Sequence, residues 1–451
     1  MDLITIIVVL ALIFQFLIFA VVLLAKKFDK RQFLLFGFLL LPILGGLYGG
    51  HIPYPVHPGK IYLLFVAMAV LLTISGTRLQ FFLGGRGLML VFCFAILLLL
   101  NSLSYFFVNG SLVLNLSSTF YLSSLLLITV YSYCAGVSGE DLDRVLPIYF
   151  LLVLLPIIVV CALEVSGQRQ LSLFFAGAGY EDISTERLGF LRLNGIFHWP
   201  NNLANYLSCL FVLYVWRAHR SRMFFWVGGI IFIFICLTFT RANIVACTLI
   251  FALSLKNRAH RFQTYMWVAL IAVLSILFWQ QGKGTIAEVT DQYFHNLAPR
   301  SYYVLKALAI ARSNFPLGEG AYSTGAYTEA LAHRNFKEKY NLSTDYKTTE
   351  GLIAAALIEF GFLGSGLLLL TVLWLWKTDR TGLLRYVFIL IGITAYSNAD
   401  ILSPMSPESV VLFLGIGLSF STRDSYSSNE IGESKQRQFE DLCLRSPRFT
   451  S

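Results

Sequence analysis

The sequence predicts an all-α polytopic integral membrane protein with about 12–13 transmembrane helices and one large external loop. Three observations carry that prediction. Composition is the first: 57% of residues are hydrophobic and 13% charged, and the mean hydropathy is +0.70, far outside the range of a soluble globular chain. Next, apolar runs of roughly 20 residues, enough for a helix to cross about 30 Å of hydrocarbon, recur along almost the whole chain. Finally, basic and nearly uncharged loops alternate between those runs, as expected when Lys and Arg resist translocation.

In chain order the runs start near Ile4, Phe33, Ile61, Leu88, Leu116, Val145, Asn201, Met223, Ile244, Tyr265, Leu352, Tyr386 and Val410. The first is too long for a signal-peptide core and lacks a preceding basic region, so it is read as a span. The pair flanking Arg241 and the last run are short. Basic residues follow the first span (Lys26, Lys27, Lys30, Arg31), the third (Arg78, Arg86) and the fifth (Arg144). They return at Arg217, Arg220 and Arg222, at Lys256, Arg258 and Arg261, and at Lys377, Arg380 and Arg385. Those loops are expected in the cytoplasm, with the N-terminus outside and the C-terminal tail inside. The opposite loops, HIPYPVHPGK (51–60) and SPMSPES (403–409), carry almost no positive charge. The net charge of +9 is therefore mostly an orientation signal. No basic domain stands apart from the spans, so no nucleic-acid partner is expected.

The chain divides into N-terminal spans (1–165), an external loop (166–200), further spans (201–280), a larger external loop (281–350), C-terminal spans (351–421) and a Ser-, Arg- and Glu-rich tail (422–451) expected to be disordered. A loop of about 70 residues is too long for a connector. It holds an amphipathic helix expected from Arg300 to Arg312, which runs into a turn at Pro316, Gly318 and Gly320. The seven cysteines form no CxxC pair, and the external loops contain none. The seven histidines pair at ligand spacing only weakly, at His51 and His57, so zinc chemistry is not expected. Asp141-Leu-Asp143 matches an Asp-x-Asp metal motif, but it lies in a short inside loop with no attached domain and reads as structural.

Ionisable groups at membrane depth are costly and mark functional sites by default. Arg241, in CLTFTRANIVAC, lies at an external turn between two short spans, with no acid nearby. It could snorkel to lipid phosphates, but Thr238, Thr240 and Asn243 favour a polar pocket. The stretch RLGFLRLNGIFHWPNNLANYL (187–207) brings Arg192, His198 and several asparagines to the lip of another span. Arg192 can be read as a pocket residue or an ordinary loop residue, His198 as structural or substrate-binding, and Trp199 as an interface anchor.

Arg192, Gly195, Phe197, Pro200 and Asn201 in RLNGIFHWPNNLA, followed by the Thr-Phe-Thr-Arg turn ending at Arg241, resemble the O-antigen polymerase and O-antigen ligase superfamily of lipid-linked glycan transferases. Arg300, the turn Pro316-Leu317-Gly318-Glu319-Gly320 and the element Glu359-Phe-Gly361-Phe-Leu-Gly364 extend the resemblance, which covers roughly 187–366. It implies a glycosyltransferase on the periplasmic face of the bacterial inner membrane, with a glycan on a polyprenyl pyrophosphate as donor. In that reading Arg192, Arg241 and Arg300 gather around the pyrophosphate and stabilise the leaving anion through bidentate hydrogen bonds. His198, Asn201, Arg312 and His333 bind substrate, and neither metal nor other cofactor is required.

In ligases of the superfamily a His-Asn pair stands nine residues before the Glu-x-Gly-x-x-Gly element. Here Glu350-Gly351 occupy that place. Glu350 becomes the expected general base, with His333 and Asp345 as fallbacks, and the polymerase branch is preferred over the ligase. A solvated acid at a helix N-terminus is the alternative role for Glu350. A flippase or secondary transporter is the competing class, but the chain shows no internal repeat. The resemblance also implies membrane lipid, a flippase and a chain-length regulator as partners.

Overall fold

The computed structural model describes residues 28–46, 58–109, 113–167, 186–187, 190–197, 199–256, 304–320, 351–379, 381–395 and 406–421. The spans expected from Ile4 and Tyr265, and the tail at 422–451, lie outside the described residues. Within them the chain is helical, apart from a two-residue antiparallel ribbon of β1 (Glu186–Arg187) and β2 (Phe190–Leu191). The N-terminal helices are α1 (Lys30–Gly46), α2 (Pro58–Thr73), α3 (Gly76–Gly84), α4 (Arg86–Asn109) and α5 (Val113–Cys134). A π turn at Phe150–Leu154 joins α6 (Gly139–Tyr149) to α7 (Leu155–Val165). Beyond the ribbon come α8 (Pro200–Arg217), α9 (Arg222–Leu237) and α10 (Arg241–Lys256). The last are α11 (304–313), α12 (Leu352–Thr378), α13 (Leu383–Thr394) and α14 (Pro407–Ser421).

Three stretches are each long and apolar enough to cross a membrane: Arg86–Ser104, Gly139–Val165 and Leu352–Thr378. The α2–α3 pair makes a fourth if its two bent halves are one span. Shorter apolar helices, among them α9, α13 and α14, pack around them. Leu64 and Leu71 on α2, Phe92 on α4, and Leu369 and Leu370 on α12 stay exposed. An apolar outer surface of that extent suits contact with lipid better than contact with water. Several apolar helices with such surfaces describe a multi-pass membrane protein.

The core explains the order. Every residue of α8 from Leu203 to Val215 is buried, as expected of a helix that is apolar all round. It packs against α6, α9, α10 and α13. Buried hydroxyls meet main-chain carbonyls: Tyr214 donates to Leu146 O at 2.6 Å, Tyr149 to Leu39 O at 2.7 Å and Ser132 to Leu414 O at 3.0 Å. Unpaired polar groups inside such a core would each cost about 1–3 kcal/mol.

The expected third span is interrupted. Helix α2 stops at Thr73, the Ser75 side chain accepts the Arg78 N–H, and the new helix α3 leaves at 102°. Serine is a favoured N-cap residue, and here Ser75 starts a new helix, so the apolar run from Ile61 is cut before the basic residues. Phe82 turns inward, with its ring 5.1 Å from that of Tyr133, while Phe81 faces out. The span expected near Val145 begins earlier, at Gly139, because Ser138 and Asp141 form a capping box there.

Hydrogen bonds sort the loops onto two ends. At one end Lys30 reaches Leu72 O (2.6 Å), Arg78 reaches Cys134 O (2.9 Å), Arg86 reaches Thr378 O (3.1 Å) and the Trp216 indole reaches Thr381 O (2.9 Å). All are loops in which the sequence concentrates Lys and Arg. At the other end Asn194 N–H reaches Glu164, Leu193 N–H reaches Leu237 O (3.3 Å) and Leu352 N–H reaches Ala395 O (2.7 Å). The motif Asp141-x-Asp143 belongs to the basic end and is taken up structurally. Asp141 closes the capping box and accepts from Gln32 Nε2 at 3.1 Å, and Asp143 pairs with Arg217.

Candidate functional site

The less charged end carries the site. At the end of α7, Glu164 is fully buried, and its carboxylate accepts the Asn194 N–H at 3.2 Å and the Gly195 N–H at 2.9 Å. This tether holds the turn at 194–197, closed by Phe197 N–H donating to Asn194 O at 3.0 Å. Gly195 has φ +57, and a Cβ there would stand 2.9 Å from Cys161 Sγ, so the turn needs glycine for both conformation and approach.

Fixing that turn places Arg192. Its Nε donates to Thr238 O at 3.1 Å and a terminal nitrogen donates to Asn201 Oδ1 at 3.0 Å. The same Asn201 oxygen accepts from Thr240 Oγ1 at 3.3 Å. Arg192, the start of α8 and the turn leading into Arg241 thus form one network. The turn itself is tight: Phe239 adopts φ +53, and Thr238 Oγ1 both donates to Ile235 O and accepts the Thr240 N–H. Arg241 is half-buried as the first residue of α10, at the positive end of the helix dipole. Arg192 makes no ion pair with any described residue, and burial pulls its guanidinium below its ordinary pKa. It stays charged, because arginine does not lose its proton in proteins. A half-buried cation beside a helix N-terminus is an arrangement that suits an anion.

Beneath it, Asn243 donates to Asn205 Oδ1 at 2.9 Å and to Ser208 Oγ at 3.0 Å, all three buried. Asn194 is different. It is fully buried, yet neither its amide nitrogen nor its amide oxygen has a hydrogen-bond partner among the described residues. Neither Glu164 nor Asn194 was expected from the sequence as part of the site. Glu164 was findable, as the one acid in the apolar run 145–165; the isolation of Asn194 is a property of its surroundings alone.

A second pair of motif elements also meets. Helix α12 is broken at Gly361 (φ 64, ψ −166), which frees the carbonyls before the break. The turn after α11 fills them: Glu319 N–H donates to Ile358 O at 2.7 Å and Gly320 N–H to Glu359 O at 2.9 Å, while Pro316 O accepts the Leu363 N–H at 3.2 Å. A Cβ on Gly318 would overlap the Glu359 backbone, and one on Gly361 would overlap that of Leu317. The buried Glu319 carboxylate accepts from Asn314 Nδ2 at 2.7 Å.

Of the expected site residues, Arg192, Asn201 and Arg241 come together. Arg312 is exposed near the end of α11, and no side-chain hydrogen bond or ion pair among the described residues joins it to the Arg192 network. His198, Arg300, His333, Asp345 and Glu350 lie outside the described residues. Gly351 follows directly on Glu350 and is the N-cap of α12, which begins beside the end of α13, the helix that packs on both α8 and α10. No family model matches the chain, and no curated protein shows significant similarity to it.

Proposed function

We propose that this chain is a glycan polymerase of the O-antigen polymerase and ligase superfamily. It joins oligosaccharide repeat units carried on polyprenyl pyrophosphate at the periplasmic face of the bacterial inner membrane, as a protein of about 12–13 spans. The observation that carries this reading is the clamped Arg192, charged, half-buried and without a carboxylate partner among the described residues, on the same network as the turn into Arg241. Breaking the anomeric carbon–oxygen bond sends its electron pair to the lipid pyrophosphate, and guanidinium groups in a site of low dielectric stabilise that anion. The anomeric carbon then bonds the acceptor hydroxyl oxygen, whose proton passes to a base. Glu350 is assigned as that base, and Arg300, Arg312, His198 and His333 complete the substrate contacts. A flippase supplying repeat units on the same face and a chain-length regulator are the partners this reading requires.

Deletion of the gene in its host, followed by electrophoresis of the lipopolysaccharide, separates the alternatives. A polymerase leaves a single repeat on the core. Loss of all repeats points to the ligase reaction, and an unchanged ladder overturns both. Complementation with Arg241→Lys, which keeps the charge but loses the two-pronged donor, and with Glu350→Gln, which removes the base, is expected to restore little polymer at normal protein level. A positioned base contributes about 10² to 10⁴ in rate.

A further inference from the structure

Arginines at the two ends of α8 are held differently. At its C-terminus, Arg217 meets the Asp143 carboxylate through both Nε (2.6 Å) and a terminal nitrogen, and at the same end Arg31 meets Asp29 at 2.9 Å. Near its N-terminus, Arg192 meets only neutral acceptors among the described residues, a carbonyl oxygen and the Asn201 amide oxygen. An aspartate at 201 has almost the same shape and could accept the same two hydrogen bonds, in stronger, charge-assisted form. It would also suit the second position of a helix, where the dipole favours negative charge. Stability alone therefore favours the acid. What the acid would remove is the net charge of Arg192, three of whose five N–H donors are not taken up by any described residue.

We infer that Asn201 is a positioning residue that aims Arg192 while leaving its charge whole, and that the site needs the neutrality of this amide as much as its shape. Asn201 itself is exposed, with its oxygen already shared between Arg192 and Thr240. It acts on an anion through Arg192. The inference rests on the reading of Arg192 as a pyrophosphate ligand and replaces the expectation that Asn201 binds substrate directly.

The test is calorimetric titration of inorganic pyrophosphate into the full chain in lipid nanodiscs at fixed ionic strength. Arg192→Gln is expected to weaken binding about tenfold or more, the scale of one charge-assisted contact. Asn201→Asp should weaken it comparably, and at least threefold more than Asn201→Ala, which loses the aim but keeps the charge. If Arg192→Gln weakens binding while Asn201→Asp binds like wild type, or no worse than Asn201→Ala, the inference fails and the anion site stands. Wild-type binding by Arg192→Gln overturns both. Should Asn201→Asp not fold, Asn201→Cys in a Cys443→Ser background can be modified after folding, since the native cysteines among the described residues are buried. An anionic methanethiosulfonate should then abolish binding, while a neutral one should change it less than threefold; equal effects overturn the inference.

Discussion

Asn194 poses the sharpest question at the scale of a single residue. A buried amide with neither atom paired among the described residues costs about 1–3 kcal/mol that a leucine of similar volume would not. If the proposed function holds, its place two residues from Arg192, on the turn tethered by Glu164, makes it a candidate contact for a sugar hydroxyl or phosphate oxygen of the donor. Asn194→Leu is therefore expected to hold or raise the melting temperature of the purified protein while polymer in complemented cells falls tenfold or more. A variant with full polymer would reduce Asn194 to a packing residue. Such opposition of stability and activity is common where a site keeps polar groups that packing would exclude. The sequence identified Arg192 and Arg241 by their charge beside apolar runs. It was silent on Glu164 as their support, because a tether is defined by its partner, and the Asn194–Gly195 turn lies on a separate segment.

Among the elements, the break in α12 and the turn behind α11 form one unit. Each supplies what the other lacks: free carbonyls at Ile358 and Glu359 on one side, N–H groups of Glu319 and Gly320 on the other. In hydrocarbon such irregular backbone is tolerated only where protein satisfies it. Gly361→Ala places a Cβ at φ 64 and against the Leu317 backbone, costing about 1–3 kcal/mol in strain and overpacking. The turn should then detach, and trypsin should cut after the exposed Arg312 several times faster than in wild type. Gly366→Ala is the control, since a Cβ there meets nothing within 4 Å. Equal cleavage of both variants would show that the turn is held by other contacts. The Pro-Gly turn and the Glu-Phe-Gly element could each be read in the sequence. Their contact could not, because main-chain hydrogen bonds leave no residue code beyond the two glycines that permit them.

For the whole molecule the prediction concerns sidedness. Loops rich in Lys and Arg bond to one another at one end, and the loops bearing Arg192 and Arg241 gather at the opposite end. With the basic end in the cytoplasm, His219→Cys, exposed beside Arg217, should resist a membrane-impermeant thiol reagent in intact cells and react once they are permeabilised. Tyr327→Cys, in the loop 281–350, should react at once. The reverse pattern would turn the molecule over and place the arginines on the wrong face for a lipid-linked donor.

By itself the sequence determined the all-helical class, the alternation of basic and nearly uncharged loops, and the arginines beside two apolar runs. These depend on hydropathy and charge summed along contiguous residues, and such sums survive without knowledge of neighbours. The tertiary structure decided that the run from Ile61 bends by 102° at a capping serine, that Asp141 and Asp143 are spent on a capping box and on Arg217, and that among the described residues Arg192 is clamped by neutral acceptors alone. Each of those outcomes turns on which donor meets which acceptor, often across distant parts of the chain. Pairing of that kind is settled only when the helices pack and every buried polar group must find a partner or stand without one.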